Sequence, residues 1–275
     1  MIPSPFTYER VAFVEHAIQL LSDNPDAKVI AGGHSLLPLM RLRLATPPML
    51  VDISRIEDMR YITEDGEHVA IGALTRHHDV ATSDVLRELC PILATAAGQI
   101  GDPQVRHVGT IGGSVAHADP ASDVPTVLVA LDAELVVQAP EGRTRHVPAG
   151  DFFRGLFDPD LGSTEILTEI RVPTTQGRGW SYQKFHRRAQ DWALVGVAAL
   201  APNGSSAAVA LTNMSDRPMR ASGVEEALSG GEDIATAASR AAEGTSPPSD
   251  AFASAEYRQE LVKVLVRRAL EEATG

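Results

Sequence analysis

The sequence predicts an α+β protein, and three observations carry that prediction. Residues 75–100 hold a block of helical periodicity. Residues 134–147 read as two strands around a Pro140-Glu141-Gly142 turn. Beyond residue 176, three strand-like segments come before three helical ones. A chain of 275 residues, 44% hydrophobic and 22% charged, can bury a sizeable core and fits one large or two moderate domains.

In chain order, Thr7 can cap a first helix whose Val11, Val14, Ile18 and Leu21 fall on one face, closed by Asn24-Pro25. A short strand over 28–31 leads into the first of two glycine pairs. A helix over 36–44 is stopped by Pro47-Pro48, and strands follow over 49–53 and 68–71, the second ended by Gly72-Ala73. The helical block 75–100 is broken by Pro91 and continues through Gly101-Asp102-Pro103 into the second glycine pair. An apolar stretch at 127–131 precedes the hairpin strands 134–138 and 144–147, and an alternating strand is expected over 166–172. The Pro/Gly/Thr-rich segment 173–179 reads as a linker, which divides the chain into domains 1–175 and 176–275. The second domain is expected to have strands at 180–185, 194–200 and 207–214, and helices at 224–228, 233–241 and 256–272. In the last helix Leu261, Val264, Leu265 and Ala269 make a core stripe, after an extended connection over 244–255.

A net charge of −12 gives no diffuse basic surface, so neither nucleic acid nor anionic lipid is an expected partner. The single cysteine, Cys90, cannot form an internal disulfide or supply a four-thiolate iron–sulfur site, and its neighbours Leu86, Leu89 and Leu93 point to a buried, unreactive thiol. Met1 to Pro5 lack a basic region followed by an apolar core, and no apolar run is long enough to span a bilayer. A cytoplasmic location is therefore expected, with no transmembrane segment.

The chemistry concentrates at the two glycine pairs, Ala31-Gly32-Gly33-His34-Ser35 and Thr110-Ile111-Gly112-Gly113-Ser114. A pyrophosphate needs several backbone N–H groups at close range, and glycine permits both positive backbone dihedrals and close approach. Ser35, Thr110 and Ser114 add hydroxyls, and the helix after Ser35 would turn its positive dipole end toward the anion. Either pair alone is as readily a tight turn; the two together, each with flanking hydroxyls, favour two phosphate nests. Neither reads G-x-G-x-x-G, and no G-x-x-x-x-G-K-[ST] occurs, which disfavours a Rossmann dehydrogenase. His77, His78 and Asp79 read as solvated surface, because adjacent helical residues do not face one another, and no metal site is expected. His117 and Asp119 read as turn-stabilising, while the basic run His186-Arg187-Arg188 is left between solvated surface and contact with a phosphate or an acidic partner.

The two glycine segments, the second continued by Val115-Ala116-His117-Ala118-Asp119-Pro120-Ala121-Ser122-Asp123, resemble the FAD-binding medium subunit of the carbon monoxide and xanthine dehydrogenase-type molybdenum hydroxylases. Glu165 to Pro173 is similar to the strand closing the flavin domain of that family, and Lys184-Phe185-His186-Arg187-Arg188 with Asp191 to the opening of its C-terminal domain. The resemblance implies the two-subdomain flavin fold of the p-cresol methylhydroxylase type, with subdomains of roughly 1–55 and 56–175, followed by a small three-stranded sheet carrying helices. It implies non-covalent FAD held by Ala31, Gly32, Gly33, His34, Ser35, Thr110, Ile111, Gly112, Gly113 and Ser114, with Asp123 hydrogen-bonding the cofactor and Leu167 and Lys184 against its adenine end or over the flavin. The Gly-Gly-His-Ser pattern also resembles flavoproteins whose histidine is bonded to the flavin, an alternative for His34.

What the resemblance implies is an electron-transfer subunit. A large partner would carry the molybdenum cofactor and a small one the [2Fe-2S] clusters, assembled as a dimer of heterotrimers, with this chain passing electrons through FAD to an external acceptor. No catalytic side chain is nominated here. The Ala-His-Ala-Asp-Pro segment favours the carbon monoxide dehydrogenase type. A self-contained FAD-dependent oxidase and a cofactor-less structural adaptor are the alternatives.

Overall fold

The computed structural model describes residues 2–201 and 206–275, so Met1, read above as part of the N-terminus, lies outside the description. The chain begins with a parallel sheet built from β1 (Thr7–Arg10), α1 (Val14–Asp23), β2 (Lys28–Ile30), α2 (Leu36–Leu42) and β3 (Met49–Asp52), with strand order β1-β3-β2. Buried Val14, Ala17, Ile18 and Leu21 give α1 one apolar face, which packs on β3. The expectation that Thr7 caps this helix is incorrect. Thr7 opens β1, its amide donating to the Pro48 carbonyl at 2.8 Å, and α1 starts behind Phe13. All four residues of β1 are exposed, so no apolar alternation marks the strand, and only its pairing with β3 defines it.

The middle of the chain forms an antiparallel five-stranded sheet with helices on it. Its elements are β4 (Ile62–Asp65), β5 (His68–Gly72), α3 (His77–Thr82), α4 (Asp84–Leu89), α5 (Pro91–Gly98), α6 (Pro103–Arg106), α7 (Ile111–His117), α8 (Asp123–Ala130), β6 (Glu134–Gln138), β7 (Thr144–Pro148), α9 (Ala149–Phe152), the ribbon β8 (Phe153–Gly155) and β9 (Asp158–Pro159), and β10 (Ile166–Pro173). The order is β4-β5-β10-β6-β7. Polar β4 is a second strand without an apolar signature, held by its antiparallel register to β5. The helical block breaks at Ser83 as well as Pro91: the Ser83 hydroxyl accepts from the Leu86 amide at 3.3 Å and caps a new helix. All eight residues of α8 are buried, as expected of a helix walled in on every side.

One wall of α8 is the C-terminal sheet, β11 (Trp180–Phe185), β12 (Val195–Leu200), β13 (Ala208–Thr212) and β14 (Met219–Arg220), followed by α10 (Ser222–Ser229), α11 (Ile234–Ser239) and α12 (Ala255–Thr274). A two-residue edge strand, β14, adds to the three expected. β12 and β13 are buried on both faces, in strict alternation. Ala198, Leu200, Ala208 and Ala210 join the core of the first 175 residues, whereas Val195, Val197, Ala199, Val209 and Leu211 join the core under the C-terminal helices. The face of α12 differs from the expected stripe: Arg258, Val262, Leu265, Val266, Ala269 and Ala273 are buried, while Val264 is 46% exposed. The segment 173–179, expected as a linker, is tied to its surroundings at several points. The amides of Thr174 and Thr175 donate to the Glu67 and Leu89 carbonyls at 2.9 and 2.7 Å, and a Cβ on Gly179 would lie 1.8 Å from the Ala273 carbonyl oxygen.

Candidate functional site

The three layers meet around a cavity of about 660 Å³, within the range of roughly 300–1,000 Å³ that small-molecule sites occupy. Ala31, Gly32, Gly33, His34 and Ser35 line one wall, Thr110, Gly112, Gly113 and Ser114 another, and Asp123, Leu167 and Lys184 complete the lining. Two glycine turns far apart in sequence are thereby brought to one place. Ile111 alone of the expected residues is absent from the lining: it is fully buried, and its amide donates to the Thr75 carbonyl at 2.9 Å. A second groove of about 700 Å³, over Arg143, Arg145 and Arg154, has its central charge satisfied, since Arg145 bridges Asp160 and Glu165 at 2.9 and 2.7 Å.

The two turns are built differently. Gly33 has φ of +74°, and among the described residues no hydrogen bond takes the amides of Gly32, Gly33, His34 or Ser35. That is an open set of donors, as a nest requires. A Cβ on Gly32 would lie 2.4 Å from the Val108 carbonyl oxygen and 2.8 Å from Gly109 Cα, so this turn rests directly on the backbone leading into the second. The second pair does not form a nest. Thr110 caps α7, its hydroxyl accepting from the Gly113 amide at 3.2 Å, while the Gly112 amide donates to the Ala73 carbonyl at 2.8 Å and the Ser114 amide to the Thr110 carbonyl at 3.1 Å. Neither Gly112 nor Gly113 has a positive φ. Gly112 is required because a Cβ there would lie 2.5 Å from Ala73 Cβ. Its role is close packing, and donors at this wall must come from side chains.

Asp123, at the start of α8, is 4% exposed and accepts from the Tyr182 hydroxyl at 2.6 Å and from Lys184 Nζ at 2.8 Å. Burial pushes its carboxyl up, and the Lys184 ammonium pulls it back down. Lys184 also donates to the Gln99 carbonyl at 3.0 Å.

Several lining residues are ones that sequence reasoning missed or misplaced. His77 is not solvated surface: it is 4% exposed, lines the cavity, and its Nδ1 has no hydrogen-bond partner. Burial, followed by the charges of His34 and Arg106, pushes its pKa down to about 4. His117 also lines the cavity, and burial lowers its pKa, whereas Asp119 stabilises a turn by accepting from the Ala121 amide at 2.9 Å. Trp192, 58% exposed, stands on the rim. The basic run does not line the cavity; Arg187 lies 4.8 Å over the Phe252 ring instead. Cys90 is fully buried, and burial pushes its thiol up to about 12.

A row of free amides around the left-handed Gly33 and the flanking hydroxyls of Ser35, Thr110 and Ser114, all on one cavity, fit an anionic cofactor. The profile of the FAD binding domain in molybdopterin dehydrogenase matches residues 4–175, and that of the carbon monoxide dehydrogenase flavoprotein C-terminal domain matches residues 180–273. The carbon monoxide dehydrogenase medium chain of Hydrogenophaga pseudoflava is 41% identical over 283 residues, covering 99% of this chain and 98% of that one. The glyceraldehyde dehydrogenase medium chain of Sulfolobus acidocaldarius is 39% identical, covering 99% of both chains. In the solved carbon monoxide dehydrogenase from Hydrogenophaga pseudoflava that lacks the Mo-pyranopterin moiety of the molybdenum cofactor, the matching chain superposes with a TM-score of 0.96 at 41% identity, covering 100% of this chain and 99% of that one.

Proposed function

Because the chain belongs to the family of FAD-binding medium subunits of molybdenum hydroxylases, we propose that the cavity between its glycine turns holds FAD non-covalently and that the subunit relays electrons from iron–sulfur clusters of a small partner to an external acceptor. The substrate would react at a molybdenum cofactor in a large partner, and the subunits would assemble as a dimer of heterotrimers. Bound FAD supplies the redox chemistry of this subunit; the residues of the chain bind and orient it. A carbon monoxide dehydrogenase-type complex is favoured by the medium chains at 41% and 39% identity, from Hydrogenophaga pseudoflava and Afipia carboxidovorans.

The observation that carries this reading is the convergence of two distant glycine turns on one cavity, one of them with a free row of amides. Gly32, Gly33, His34 and Ser35 would hold phosphate oxygens through those amides, with Ala31 leading the strand into the turn. Thr110 and Ser114 would offer hydroxyls from the facing wall, where Ile111, Gly112 and Gly113 let the helix approach closely. Asp123 and Lys184, which neutralise each other, would present hydrogen-bonding groups without net charge, and Leu167 would supply apolar contact. A division into domains at 175/176, with subdomains of roughly 1–55 and 56–175, belongs to the same proposal. Among the described residues no helix is long and apolar enough to cross a membrane. A cytoplasmic location is proposed from the sequence's single cysteine, buried and unable to form an internal disulfide.

Purification of the chain with its partners tests the reading. A flavin spectrum at one FAD per medium subunit, with flavin released by acid precipitation, is expected. Flavin that stays with the acid precipitate would show covalent attachment, and a colourless complex that cannot be reconstituted would refute the assignment.

A further inference from the structure

The two walls of the cavity are unequal, and the imbalance identifies a further binding residue. A diphosphate presents two anionic groups, yet only the first glycine turn has amides to spare; those of Ile111, Gly112, Gly113 and Ser114 are all engaged within the chain. Donors for the second phosphate must come from side chains near the place where the turns touch. His77 is there. Its backbone amide donates to the Gly109 carbonyl at 3.0 Å, and a Cβ on Gly109 would lie 3.1 Å from its Cδ2. Gly109 is the residue on which Gly32 of the first turn packs.

We infer that His77 is a further diphosphate-binding residue of this cavity and takes up a proton as the cofactor binds; the inference rests on the reading of the cavity as an FAD site. The His77 side chain lines the cavity and is 4% exposed, and its Nδ1, buried and without a hydrogen-bond partner, leaves the imidazole uncommitted to the protein around it. Two basic side chains act on His77, each disfavouring its protonation: His34, exposed on the first turn, and Arg106, fixed in α6 by donating to the Ile100 and Gly101 carbonyls at 2.9 and 3.3 Å. The neighbouring His78 and His107 are occupied with each other, their rings stacked at 3.9 Å.

Burial, followed by these two basic neighbours, keeps the imidazole neutral in the free chain, its pKa pushed down to about 4. A diphosphate reverses the electrostatic part. It attracts the proton that His34 and Arg106 repel, so the bound state has the higher pKa. Between the two pKa values binding takes up a proton, and affinity therefore rises as pH falls, by up to about tenfold per pH unit for one proton.

The test uses the purified complex containing the full chain, stripped of flavin and titrated with FAD by quenching of flavin fluorescence at pH 6, 7 and 8. Calorimetry in PIPES and in imidazole buffer counts the protons taken up. The native complex should bind FAD several-fold more tightly at pH 6 than at pH 8. His77→Gln, which keeps a donor and an acceptor but cannot titrate, should lose affinity at pH 6 by about tenfold and flatten the slope; His77→Asn is the second variant if the first does not fold. A variant with native affinity and native pH slope overturns the inference, as does proton uptake near zero in the native complex. A native complex that binds no FAD at all refutes the cofactor reading itself, which separates the two failures.

Discussion

Lys184 Nζ donates to Asp123 Oδ2 at 2.8 Å, with side chains 2% and 4% exposed, and this pair ties β11 of the C-terminal sheet to α8 of the flavin domain at the wall of the cavity. Each member has a second partner, Tyr182 for the carboxylate and the Gln99 carbonyl for the ammonium. Such double satisfaction is what a buried ion pair needs if it is not to be a net cost.

Removing one member should therefore hurt more than removing both. Lys184→Met is expected to destabilise the protein by about 3–5 kcal/mol, and Lys184→Met/Asp123→Asn to recover much of that. Burial already holds the folded-state pKa of Asp123 above its unfolded value, and without the ammonium that opposes burial most strongly the rise is larger. A carboxyl raised in this way contributes stability that is present at low pH and lost as pH rises through the folded pKa, so the deficit of Lys184→Met should shrink from pH 7 to pH 5. Urea unfolding at both pH values checks this; a deficit independent of pH, or a double variant no better than the single one, counts against it.

The glycines should rank by what a Cβ would meet. At Gly32 the obstacles are backbone atoms of Val108 and Gly109, which cannot move aside, whereas at Gly113 the one obstacle is the Thr110 hydroxyl at 2.7 Å. Gly32→Ala should lower FAD affinity by at least about tenfold, or ~1.4 kcal/mol, by forcing the turns apart. Gly113→Ala should disturb mainly the Thr110 cap, at about 1 kcal/mol of stability, and lower affinity less than Gly32→Ala does. Equal losses of affinity in the two variants would mean that contact between the turns is not what shapes the site.

The sequence made the site's location legible because glycine pairs, hydroxyls and the acidic residue are local patterns, and twelve of the thirteen expected residues do line one cavity. It was silent where pairing, not periodicity, defines structure. Exposed β1 and polar β4 carry no apolar alternation and exist through their neighbours. The same limit hid His77, since adjacent histidines at a helix start look alike until tertiary packing turns one inward. Gly112 and Gly113 were conspicuous as glycines, but only the fate of their amides separates a nest from a tightly packed helix start. The shifted face of α12 follows from Arg258, a charged residue that a hydrophobic stripe excludes and the fold buries completely.

Arg258 of α12 is bonded to both segments that flank the cavity rim. Its guanidinium donates to the Leu194 carbonyl and to Asp250 Oδ2, the latter at 2.7 Å, so α12 holds both the end of the 186–194 loop and the turn that carries Phe252. That loop brings Gln190, Asp191 and Trp192 to the cavity. Arg258→Met should cost about 1–3 kcal/mol by weakening the bonding of a buried carbonyl, and should raise hydrogen exchange in 186–194 while leaving β5, paired on both sides by β4 and β10, protected. Exchange that rises equally in both segments would show general destabilisation rather than a hold on the rim.

Acid sensitivity should begin in the parallel sheet. Asp52, at the end of β3, is 5% exposed; burial works against its charge, yet hydrogen bonds from Tyr8, Ser54 and Arg10 outweigh it and hold the carboxyl below the ordinary carboxylate range. A carboxyl depressed in the folded state contributes stability that is present above its unfolded pKa of about 3.9 and lost as pH falls through the folded value. The pair with Arg10, itself 51% exposed, adds little alone, so the Tyr8 and Ser54 bonds carry the effect. Asp52→Asn should therefore lower stability at pH 7 and flatten its fall below pH 4, without changing the steeper dependence set by other carboxylates. Because β3 pairs with β2, the strand that enters the first glycine turn, native protein should also lose FAD over the same acid range before it unfolds globally. Thermal unfolding and flavin release followed together from pH 6 to pH 3 give the answer; a variant whose acid limb overlays that of the native protein removes Asp52 from the account.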